Sequence, residues 1–62
     1  MTKMDWYISI QDVAETVENE LGWDVVRNIY KSHGAKGIDD LNPSEYEAVF
    51  SELYFYEADL KD

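Results

Sequence analysis

Sixty-two residues hold one domain at most, and a chain this short buries only about 60% of the surface its unfolded form exposes. The absence of Cys excludes disulfides and thiolate metal sites, and no apolar run approaches the roughly 20 residues of a membrane span. Fourteen Asp and Glu against five Lys and Arg give a net charge of −9, a field that opposes contact with nucleic-acid phosphates or an anionic membrane.

The first segment is expected from about Asp5 to Leu21. Trp6, Ile10, Val13, Ala14, Val17 and Leu21 share one face at helical spacing, and Gln11, Asp12, Glu15, Glu18 and Asn19 lie away from it. Ser9 with Asp12 offers a later alternative start, and Gly22 supplies a left-handed stop. A second helix is expected from Asp24, as cap, to His33. Val25, Val26, Ile29, Tyr30 and His33 face one side, and Gly34 ends it. Ala35-Lys36-Gly37 is a short link, and Ile38-Asp39-Asp40-Leu41 reads as a turn that points Ile38 and Leu41 inward.

The third segment has the strongest start signal. Asn42 is suited to cap the first free N–H groups, Pro43 fits the first helical position, and Glu45 is placed to reach back to the cap's own N–H. From Pro43 to about Leu60, Tyr46, Val49, Phe50, Leu53, Tyr56 and Leu60 form the core face, with Glu57 among them. The fold class expected is therefore all-α: one domain over residues 1–62, a small three-helix bundle with short connections. Charge is uneven along it, −4 over residues 1–22, +2 over 23–38 and −7 over 39–62.

Chemistry-bearing patterns are sparse. Glu15 with Glu18, Glu18 with Glu20 and Asp39 with Asp40 read as solvated faces, since catalytic carboxylates need a water-poor cleft that a chain this size hardly encloses. His33, the single histidine, has no Cys to join it and no carboxylate at ligand spacing; it reads as a structural residue at a helix end. Phosphate-cradle and nucleophile motifs are absent. No enzyme activity, metal or cofactor is expected.

The sharper signal is Phe55. At 100° per residue it lies opposite Tyr46, beside Ala48, Ser51 and Ala58, which makes a small-residue stripe with one large apolar knob; Ile8 is similarly opposite Trp6. A third helix neighbour would widen the buried arc and cover such residues. The functional reading is a protein-contact face of Ala48, Ser51, Phe55 and Ala58 for another protein or a second copy of the chain. From a different class comes an acidic mimic of nucleic acid that blocks a DNA-binding enzyme. It rests on the charge and on Glu45, Glu52 and Asp59, seven residues apart along one edge at roughly 10 Å per step.

Gly37-Ile38-Asp39-Asp40-Leu41-Asn42-Pro43-Ser44-Glu45-Tyr46-Glu47-Ala48-Val49-Phe50-Ser51-Glu52-Leu53, with the Met4-Asp5-Trp6-Tyr7 start, resembles small acidic helical proteins of unknown function encoded on bacterial conjugative elements and prophages. The resemblance implies a mobile-element context, a bacterial cytoplasm and action by binding host proteins. It implies no catalytic residue or cofactor. The N-terminus also lacks a signal-peptide pattern, which agrees with a cytoplasmic location.

Overall fold

The computed structural model describes residues 2–60. Three helices form it: α1 (Lys3–Leu21), α2 (Trp23–Ser32) and α3 (Tyr46–Leu60), with short 3₁₀ turns at Ile38–Asp40 and Pro43–Glu45. They pack as a small three-helix bundle, and no strand occurs among the described residues.

Helix α1 starts two residues before the expected Asp5 and well before the alternative at Ser9. The Thr2 hydroxyl accepts from the Asp5 N–H and the Asp5 carboxylate accepts from the Thr2 N–H, each at 3.2 Å. This is a capping box with Asp in the place usually held by Glu or Gln, so it satisfies two free N–H groups a turn earlier.

Gly22 alone joins α1 to α2. Its φ of 94° and ψ of 158° lie outside the left-handed helical region expected of a stop, in extended backbone open essentially to glycine. That geometry turns the chain in one residue and starts α2 at Trp23. Asp24 is thus a first-turn residue rather than the cap, and its carboxylate lies 3.5 Å from Arg27.

The end of α2 is a Schellman turn. Ala35 N–H donates to the Tyr30 carbonyl at 2.9 Å and Gly34 N–H to Lys31 at 3.0 Å, with Gly34 at φ 81°. The motif leaves His33 as the cap residue and tucks Ala35 into the core. The short link Ala35-Lys36-Gly37 thus contributes a core residue. Next, Asp40 accepts from the Lys36 and Gly37 N–H groups, which fixes the first 3₁₀ turn and buries Leu41.

Asn42 caps as expected, its side-chain oxygen accepting from the Ser44 N–H at 3.0 Å and the Ser44 hydroxyl at 2.9 Å. The start of the third segment, however, is the 3₁₀ turn Pro43–Glu45 rather than α-helix, and the Glu45 carboxylate does not return to Asn42.

Ile10, Val17, Val26, Val49 and Leu53 are the largest fully buried side chains, with Val13, Ala14, Ile29, Tyr30, Leu41 and Tyr46 around them. Trp6, Val25, Ile38 and Phe50 close the core's edge; the Trp6 and Phe50 rings meet edge-on at 5.8 Å. Leu21, Tyr56 and Leu60, all expected in the core, are exposed. Leu21 and Leu60 are the last residues of α1 and α3, where the helix ends leave the core, and Tyr56 stands at the solvent edge of the α2–α3 seam beside Val25 and Ile29.

Candidate functional site

The outer face of α3 carries the residues with least structural duty. Phe55 is 71% exposed, the largest exposure among the big apolar side chains, and Ala48, Ser51 and Ala58 are exposed along the same stripe. Tyr54 and Tyr56 are exposed on its two sides, so three consecutive aromatics fan across the solvent-facing half of the helix. Each is held differently. The Tyr54 ring stacks on Phe50 at 5.9 Å, continuing the row that begins at Trp6, while the Phe55 and Tyr56 rings meet edge-on at 6.5 Å. The Phe55–Tyr56 pair is the one ring contact of Phe55 among the described residues. Ile8 is exposed as well, and Glu57 is half-buried at the rim.

The acidic edge has a different arrangement from the one its spacing suggests. His33, with its side chain 14% exposed, stands between Glu45 and Glu52: Nδ1 is 2.7 Å from Glu45 Oε1 and Nε2 is 2.7 Å from Glu52 Oε1. A neutral imidazole has one N–H and one lone pair, so one of these contacts would set a lone pair against a carboxylate. Protonation makes both nitrogens donors. The hydrogen bond to Glu45, then that to Glu52, accordingly raise the His33 pKa above 6.5, against a smaller opposing effect of burial. Three elements meet there: the end of α2, the second 3₁₀ turn and the middle of α3. Asp59, the third member of the edge, is exposed in the last turns of α3.

Both ring nitrogens of His33 are engaged, which leaves neither to act on a substrate in this arrangement. Among the described residues no three His, Asp or Glu side chains are grouped to hold a metal ion. Asp39 accepts from the Tyr7 hydroxyl at 3.0 Å, and Asp40 is occupied by the loop N–H groups that lower its pKa, Lys36 first and then Gly37. Among the described residues no helix is long and apolar enough to cross a membrane.

The structure therefore brings Ala48, Ser51, Phe55 and Ala58 together on one exposed face and ties Glu45 to Glu52 through His33. The His33 partners, 12 and 19 residues away, carry no local sequence signal. The chain matches no protein-family model, no curated protein and no solved structure.

Proposed function

We propose that this chain is a non-enzymatic protein-contact module that binds through the outer face of α3, with Phe55 as its anchor. The observation that carries the reading is the exposure of Phe55 between small neighbours, greater than that of any other large apolar side chain among the described residues. Covering such a ring stabilises a complex by about 1.5–3 kcal/mol. Flanking alanines and serine let a partner's backbone approach closely, and the tyrosines on either side supply amphipathic contact area. The partner is another protein or a second copy of the chain. Two copies at −9 each repel, so a partner of lower or opposite charge is favoured at low salt. We extend the proposal, on the resemblance to mobile-element proteins, to binding of a host protein in a bacterial cytoplasm.

The acidic-mimic reading draws on the net charge and on Glu45, Glu52 and Asp59. Two of these three carboxylates are already engaged by His33, so the edge offers a partner less free charge than its spacing implies. That favours the apolar reading.

Salt separates the two. Immobilised full-length chain is used to capture partners from bacterial lysate, with washes at low and at high salt. An apolar contact keeps its partner at high salt, because screening acts on charge and not on buried apolar area. Recovery of a nucleic-acid enzyme that is lost at high salt would overturn the apolar reading in favour of the mimic.

A further inference from the structure

Apart from α3, residues of α1, α2 and the first 3₁₀ turn line an open groove of about 360 Å³. Ala14 and Ile38 line it with apolar surface, and Trp23 and Tyr30 stand along it with ring centroids 6.4 Å apart. Its α1 side is polar: Gln11, Glu15 and Glu18 lie at spacings of four and three, on one helix face. Neither glutamate has a cationic partner among the described residues. Tyr30 is 3% exposed as a residue and lines the groove, and its hydroxyl, which makes no hydrogen bond among the described residues, is still open to solvent there.

We propose that this groove seats the guanidinium group of an arginine side chain presented by a partner protein. Aromatic faces attract cations, and a planar, weakly hydrated guanidinium stacks on an indole better than a compact ammonium does. Its forked N–H groups are suited to two carboxylates one helical turn apart, and a remaining N–H is matched by the open Tyr30 hydroxyl. A metal ion is a poorer occupant, since no convergent set of three ligands exists among the described residues. The groove uses none of the α3 face, so this inference and the α3 contact stand or fall separately.

The test is a titration of isotope-labelled full-length chain at low salt with N-acetyl-arginine amide, followed by amide and indole N–H shifts. The Trp23 indole, identified through Trp23→Phe, and the amides around Gln11 to Glu18 should shift saturably, while the Trp6 indole stays still. The matching citrulline amide has nearly the same shape without the charge and should bind at least about tenfold more weakly. The double variant Glu15→Gln, Glu18→Gln removes two exposed charges and should weaken the arginine probe by a similar factor while melting no lower than the parent. Equal binding of citrulline, undiminished binding by the double variant, or no saturable shift at Trp23 would each overturn the assignment. The citrulline arm needs no variant, so the result does not depend on how the double variant folds.

Discussion

His33 Nδ1 and Glu45 Oε1 lie 2.7 Å apart across the turn between α2 and α3. Glu45 is placed in sequence to close a capping box on Asn42, and in the fold it serves a histidine twelve residues upstream instead. A charge-assisted bond to a half-buried imidazolium is stronger than one to a solvated backbone N–H, so the tertiary partner wins. With Glu52 on the other nitrogen, His33 joins the end of α2, the second 3₁₀ turn and the middle of α3.

The pH dependence follows from signs. His33 has a folded pKa raised above its ordinary 6.5, so its stabilisation is full below 6.5 and is lost as pH rises through the raised value. Asp40 has a folded pKa held below its ordinary 3.8, so its contribution is present above 3.8 and is lost as pH falls through the lower value. Both are intact between 3.8 and 6.5. Melting temperature should therefore fall as pH is raised from 6 towards 8, and His33→Gln should flatten that limb. An equally steep limb in His33→Gln would assign it to other groups.

Gly22→Ala should cost about 1–3 kcal/mol. No atom lies within 4 Å of a Cβ added there, so the loss comes from the backbone, which sits at φ 94° and ψ 158°. Chemical denaturation of the two proteins measures it. An unchanged midpoint would mean the one-residue link adopts another conformation.

The α3 frame predicts two graded losses. Asn42→Ala removes the acceptor for the Ser44 N–H and should cost about 1 kcal/mol. Leu53→Ala empties a fully buried site and should cost about 2–5 kcal/mol, comparable with the whole stability of a domain this small. Thermal melts check both, and a Leu53→Ala protein as stable as the parent would contradict the inward face of α3.

Added salt should stabilise the fold. Apart from the His33 contacts, the one ion pair among the described residues is Arg27–Asp24, whose side chains are 49% and 82% exposed and which contributes little. Repulsion within a charge of −9 dominates, and salt shortens its reach from about 10 Å at 0.1 M to about 3 Å at 1 M. A melting temperature that falls with sodium chloride would show that attractive pairs outweigh the repulsion.

The helices were legible because periodicity and local stops act within a few residues. Ile10, Val13 and Val17 follow the pattern inward, Gly34 stops α2 by a local Schellman turn, and Asn42 caps its own neighbours. Legibility ended where the fold decided. Leu21, Tyr56 and Leu60 have the right spacing and stay exposed, Leu21 and Leu60 at helix ends and Tyr56 at the edge of the α2–α3 seam. The Thr2–Asp5 capping box is local in sequence, and it places the start of α1 two residues before Asp5. The His33 pairing with Glu45 and Glu52 and the Trp23–Tyr30 groove both need the packed bundle, since no residue spacing announces them. The α3 face lies between these cases: periodicity put Phe55 opposite Tyr46, and only the packing leaves that side without a neighbour.

Phe55→Ala tests the α3 contact face most directly. Circular dichroism melts of parent and variant are measured beside sedimentation velocity and capture of the partner recovered by the parent. With Phe55 as an exposed anchor, stability should move by no more than about 0.5 kcal/mol, while partner binding or self-association weakens by about 2 kcal/mol or more. A loss of roughly 3–5 kcal/mol in fold stability would place the ring in the core, and a folded variant with unaltered association would contradict the proposed face.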